Sequence, residues 1–160
     1  MKYNTGDNRY ISIGFGKTDK MSGTADTYIC SVEDVGPDNN SGNVIFEGDK
    51  FINGYKTPYS VQKTPEVENK QRDNDYTDGV LSCRFDREVS VSITDEEEKT
   101  DFDLNEAHNL LVAVGPFDQA VKKHDFRAQT DSQVFTTSMG NDATTSIFSV
   151  IFVLVAFIIN

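Results

Sequence analysis

The chain is short of the features that announce most kinds of protein. Its 160 residues include only two cysteines and two histidines. Cys30 and Cys83 lie far apart, with no second cysteine pair and no close histidine pair, so zinc-ligand spacing is missing. Basic residues are few. Lys and Arg number 15 against 26 Asp and Glu, giving a net charge of −11 and a pI near 4.5. That balance excludes a nucleic-acid surface, which needs a basic face, and a polybasic attachment to anionic lipid. Helical periodicity is nearly absent, and there are no internal repeats. Met1-Lys2-Tyr3-Asn4-Thr5-Gly6-Asp7 contains no apolar stretch, so no secretory leader opens the chain. Asp34, Asp38 and Asp49 fall in predicted turns, but no loop has EF-hand spacing. Gly14 and Gly16 precede no helix and form no phosphate cradle. No Ser/His/Asp order stands out.

What is present is a succession of short β-type runs cut by turn residues, the pattern of an all-β sandwich. Over Tyr10–Phe15, Ile11, Ile13 and Phe15 share one face. Over Thr27–Val32, Tyr28, Cys30 and Val32 do the same. Asn43–Phe46 and Lys50–Tyr55 are expected as two strands joined by a tight turn at Glu47-Gly48-Asp49. Val80–Phe85 places Leu81, Cys83 and Phe85 on one side. Val89–Ile93 alternates with serine, and Asn109–Val114 is nearly continuous apolar sequence, as in a central strand. Pro65–Thr77 reads as a long exposed loop. Asp95-Glu96-Glu97-Glu98 reads as a solvated turn.

The two cysteines are either one disulfide of an oxidising compartment or two buried thiols. In the chain-entropy model, bridging a loop this long contributes on the order of 4 kcal/mol. Asn39-Asn40-Ser41 is an N-glycosylation sequon in a Gly/Pro/Asn-rich turn, with Asn39 as acceptor. The last segment is a different material. Gly140–Ser146 is small and polar, and Ile147–Ile159 is apolar apart from Ser149. As a helix it reaches only about 20 Å, short of a bilayer core of about 30 Å. A short apolar tail behind a polar spacer fits a glycosylphosphatidylinositol attachment signal, with Ser138 or Asn141 as the lipid-bearing residue. A short membrane helix and a final strand are the alternatives.

The order of these stretches resembles the DOMON domain, a haem- and sugar-binding β-sandwich of secreted and cell-surface proteins. The resemblance runs through Tyr10-Ile11-Ser12-Ile13-Gly14-Phe15-Gly16, Met21-Ser22-Gly23, Asp26-Thr27-Tyr28-Ile29-Cys30, Asp78-Gly79-Val80-Leu81-Ser82-Cys83-Arg84-Phe85-Asp86-Arg87, and Leu110-Leu111-Val112-Ala113-Val114-Gly115-Pro116 followed by His124. It implies an immunoglobulin-like antiparallel β-sandwich over residues 8–135. Residues 1–7 are then a disordered or truncated start lacking the family's N-terminal strands, 136–146 a spacer and 147–160 a hydrophobic tail. It also implies a Cys30–Cys83 disulfide.

The nearest likeness is to the haem-binding DOMON portion of ferric-chelate reductases. It implies haem b with Met21 and His124 as axial ligands to the iron. Lys122 and Lys123 are then candidate partners for the haem propionates, and Phe15, Tyr28, Phe117 and Phe126 candidate walls of the porphyrin slot. The imidazole needs an acceptor for its second nitrogen, and Asp125 is adjacent in sequence. His108 is expected to be structural. With both axial positions filled, such an iron moves electrons rather than atoms. The expected protein is a tethered electron carrier on the extracellular face of the cell membrane, not an enzyme by itself. It would need a membrane redox partner, because the transmembrane cytochrome of those reductases is missing here. The alternative is a haem-free ligand- or sugar-binding adhesion module, with Tyr55 and Tyr59 beside Pro58 as a stacking platform.

Overall fold

The computed structural model describes residues 8–18, 23–38, 41–54, 57–64, 71–131, 133–134 and 147–154. Among them there is no helix. Thirteen strands follow in order: β1 (Arg9–Gly16), β2 (Ala25–Glu33), β3 (Asn43–Ile52), β4 (Tyr59–Ser60), β5 (Gln62–Thr64), β6 (Gln71–Thr77), β7 (Val80–Glu88), β8 (Ser90–Asp95), β9 (Glu98–Asp103), β10 (Ala107–Pro116), β11 (Phe126–Gln129), β12 (Gln133–Val134) and β13 (Ile147–Leu154). One large sheet has the order β11-β10-β1-β2-β3-β4, with β12 also on β10. Two three-stranded sheets, β13-β7-β6 and β5-β8-β9, complete the fold. Pairing is antiparallel throughout.

The period-2 alternation read from the sequence sets the core. Ile11, Ile13 and Phe15 of β1, with Tyr28, Cys30 and Val32 of β2, face Leu81, Cys83 and Phe85 of β7. Tyr28 stacks on Phe85 at 4.4 Å between ring centroids, and Phe46 closes on Phe85 at 5.1 Å. A disulfide joins Cys30 to Cys83 across these layers, with their Cα atoms 6.5 Å apart. This packing of sheet on sheet makes the fold sandwich-like. The second small sheet adds its own cluster, in which Val91, Ile93 and Phe102 pack with Phe51 of β3.

Four details differ from the sequence expectation. The turn at Glu47-Gly48-Asp49 is instead a bulge inside one continuous β3, where the register to β2 shifts between Thr27 and Ile29. Glycine marks bulges as well as turns, and the run of residues could not separate them. The second half of the expected loop over Pro65–Thr77 is β6. It forms a hairpin with β7 through Asp78 and Gly79, both at positive φ (52° and 77°), the turn that Asp-Gly favours. The opposite face of β1 and β2, for which the alternation named no core residues, is also buried: Tyr10, Ile29, Ala113 and Phe117 form a second cluster there. Finally, Ile147–Leu154 of the apolar tail is a strand along β7, in register from Ile147↔Glu88 to Leu154↔Leu81. That is the final-strand alternative rather than a helix. Among the described residues no helix is long and apolar enough to cross a membrane.

Candidate functional site

The segment carrying His124 is built onto the outer face of the large sheet, away from the disulfide core. After β10 the chain makes a small loop closed by a bridge between Phe117 and Val121. It is then fixed on both sides of His124. The Lys122 N–H donates to the Pro116 carbonyl (3.2 Å), and the Lys122 carbonyl accepts from the Tyr10 hydroxyl (3.2 Å). The Asp125 N–H donates to the Val114 carbonyl (2.8 Å), and its carboxylate pairs with Arg9 at 2.5 Å. Burial and then the nearby Asp125 charge push the Tyr10 phenol up to about 12. Gly115 lies directly beneath. A Cβ there would stand 2.8 Å from the His124 Cα and 3.1 Å from the Lys123 carbonyl oxygen. Glycine is therefore required by the close approach of two backbones.

His124 itself is half-buried, and no described residue hydrogen-bonds its ring. The Asp125 carboxylate pairs with Arg9 through Oδ2, and no hydrogen bond joins it to the His124 ring among the described residues. Lys122 is exposed and pairs with Asp118 (3.2 Å), and Lys123 is exposed beside it.

Met21 lies outside the described residues, as do Asn39, Tyr55, Ser138 and Asn141. The residues flanking 19–22 are described: the Lys17 N–H donates to the Thr24 carbonyl (3.3 Å), just beyond the paired Gly16 and Ala25. This is the opposite end of β1 from Tyr10, whose partner on β10 is Gly115. The six-residue step from Tyr10 to Gly16 spans about 20 Å. Between the two ends, the outer face carries Ser12, Gly14, Thr27 and Ala113 together with the larger Ile29 and Leu111.

The four aromatic residues expected to wall one slot do not come together. Phe15 and Tyr28 are in the inner core, Phe117 is on the outer face, and Phe126 is 58% exposed at the edge strand β11. Period-2 alternation explains the split, since Phe15 and Tyr28 share the inner phase of their strands. Tyr59 is no open platform either. Its ring meets Phe51 edge-on and its hydroxyl donates to Asp95 at 2.5 Å. His108 is buried, as a structural histidine should be. Its Nε2 lies 2.7 Å from the Asp103 carbonyl, its ring stacks near Phe102, and its Nδ1 has no partner.

The sequence reading missed a buried ionic cluster where the three sheets meet. Asp26 of β2 is fully buried and accepts from Lys63 Nζ of β5 (2.5 Å), Arg87 Nε of β7 (2.8 Å) and the Tyr28 hydroxyl (3.1 Å). Lys63 also donates to the carbonyls of Gly48 (2.6 Å) and Thr27 (3.3 Å), at the β3 bulge. Arg87 reaches the carbonyls of Glu88 (2.6 Å), Val89 (3.0 Å) and, on β9, Phe102 (3.2 Å). Both cations lie over aromatic rings, Lys63 over Tyr28 and Arg87 over Phe15. Burial alone would raise the Asp26 carboxyl, but two adjacent cations hold it below the ordinary carboxylate value. Two cations share one carboxylate, and Lys63 carries the consequence: burial, with Arg87 repulsion beside it, lowers its pKa against the pull of Asp26. The signal was in the strand phase. Asp26 is in step with Tyr28 and Cys30, and Arg87 with Cys83 and Phe85.

No protein-family model, curated protein or solved structure matches the chain. Among the described residues no group of three or more His, Cys, Asp or Glu is placed to hold a metal ion.

Proposed function

We propose that the chain is a DOMON-type β-sandwich of the extracellular cell surface, and that it holds haem b between Met21 and His124. One observation carries this reading. His124 is half-buried against the outer face of the large sheet, and no described residue hydrogen-bonds its ring, so the imidazole would be open to a ligand. A thioether with an imidazole is a donor set that would suit haem iron, and haem held by Met21 and His124 would supply one-electron transfer at a potential that the thioether would raise.

The chain's own residues do the holding. Gly115 lets the His124 backbone settle against the sheet. Tyr10 and Arg9 fix the flanking residues, and the ionic cluster with the disulfide keeps the layers in place beneath. Lys122 and Lys123 offer positive charge near His124 for propionates. The domain is a carrier, so ferric reduction would require a membrane partner that delivers electrons.

Tethering belongs to the same reading, with lipid attachment at Ser138 or Asn141. Removal of the tail would take β13 with it and open that edge of β7. Release of the protein from cells by a phosphatidylinositol-specific phospholipase tests the tether. Titration of the purified chain with haem tests the cofactor. One equivalent is expected to give a coloured complex that survives gel filtration. A colourless protein that refuses haem leaves the haem-free ligand-binding module in its place.

A further inference from the structure

We propose that Lys63 and Asp26 condense in the folded chain to a side-chain amide bond, a second covalent tie beside the disulfide. The bond needs neither haem nor the tether. Cys30–Cys83 joins β2 to β7, and so to one of the small sheets. Asp26 stands on the same strand as Cys30 and in the same phase, and its partner Lys63 belongs to β5 of the other small sheet. An amide between residues 37 apart in sequence ties that remaining sheet to β2. The reacting atoms are already in contact and out of water. Both side chains are buried, and Lys63 Nζ lies 2.5 Å from Asp26 Oδ1.

The two carboxylate oxygens have separate surroundings. The three N–H bonds of the Lys63 ammonium each have an acceptor: Asp26 Oδ1, the Gly48 carbonyl (2.6 Å) and the Thr27 carbonyl (3.3 Å). When the first of these protons passes to Oδ1, the lone pair it leaves points at the carboxyl group, and both carbonyls hold the amine in place. The other oxygen, Oδ2, accepts from Arg87 Nε (2.8 Å) and the Tyr28 hydroxyl (3.1 Å). Two donors on one oxygen stabilise the charge that gathers there as nitrogen adds. Oδ2 is therefore kept and Oδ1 expelled. The Nζ–Cγ bond forms and the Cγ–Oδ1 bond breaks. Two protons of the ammonium leave with Oδ1 as water, and the third stays on the amide nitrogen. Afterwards that N–H keeps the Gly48 carbonyl, and Arg87 keeps the carbonyls of Glu88, Val89 and Phe102 and the face of Phe15. Groups held in contact react as if at effective concentrations of about 10⁵ M or more. Arg87 also favours the ionised carboxylate, so the chain folds with the ion pair and the bond forms from it slowly.

The test follows the intact mass of the freshly purified full chain during incubation at neutral pH. A growing species lighter by one water than the disulfide-bonded chain is expected. After reduction and trypsin digestion, peptide 21–50 should be found joined to a peptide left uncut at Lys63, because an acylated lysine is no longer a trypsin site. Lys63→Met should give no joined peptides. Tyr28→Phe, which removes one donor from Oδ2, should slow the loss of water about a hundredfold. A parent chain that keeps its water overturns the bond. So does a loss of water without joined peptides, the mark of a succinimide at a site such as Asp78-Gly79. An unchanged rate in Tyr28→Phe overturns the roles given to the two oxygens.

Discussion

Asp26 is the residue on which the interior charges depend. It faces two cations with no water between, so its loss leaves both uncompensated. Asp26→Asn is expected to cost roughly 3–5 kcal/mol in urea unfolding. Lys63→Met should cost much less, because the Asp26–Arg87 pair stays balanced and burial already opposes the Lys63 charge. Equal losses would mean that Lys63, not Asp26, organises the cluster. The pH dependence has a definite sign. A carboxyl held low in the fold stabilises above its unfolded value, about 3.9, and that stability is lost as pH falls through the lower folded value. Stability measured by urea midpoint should therefore drop as pH falls below about 4, the unfolded carboxylate value, and Asp26→Asn should flatten the drop. At the alkaline end, Tyr10 and Tyr59 are each pushed up to about 12, so above pH about 10 the unfolded chain loses protons that the fold retains. Stability should fall there, and tyrosinate absorbance should show late-titrating phenols. Asp26 and Arg87 stood in the buried phase of their strands and were legible to that extent. Lys63 was not, since a three-residue strand has no phase to read and its partners come from β2 and the β3 bulge.

At the scale of elements, β1, β2, β7 and β10 were plain in the sequence because each alternates over enough residues to define a face. The β6–β7 hairpin was hidden by polar composition, although Asp78-Gly79 carried the turn chemistry. The β3 bulge was hidden because glycine serves turns and bulges alike. The seat of His124 was hidden for a different reason: it depends on an absence, the missing side chain at Gly115. Gly115→Ala is expected to destabilise by about 1–3 kcal/mol, as overpacking does, and to move the His124 segment off the sheet. Amide exchange over residues 122–125 should speed up in that variant. Unchanged protection there would mean that the loop, not the sheet, holds His124.

For the whole molecule, the disulfide that the resemblance implied spans the packed layers. Replacing both Cys30 and Cys83 by Ala should lower stability by about 2–4 kcal/mol, seen as a lower denaturant midpoint with a steeper slope, because the unfolded chain is no longer tied. No change would mean that the layers are held by side-chain packing and the ionic cluster alone. The proposed pairing of Met21 with His124 would draw on the whole length of the sheet. Its most direct measurement is the optical and electron paramagnetic resonance spectrum of the haem-loaded chain beside Met21→Ala and His124→Ala. The parent should be low-spin with a sharp α-band on reduction, and each variant should become high-spin. Low-spin spectra that persist in both variants would contradict the assignment.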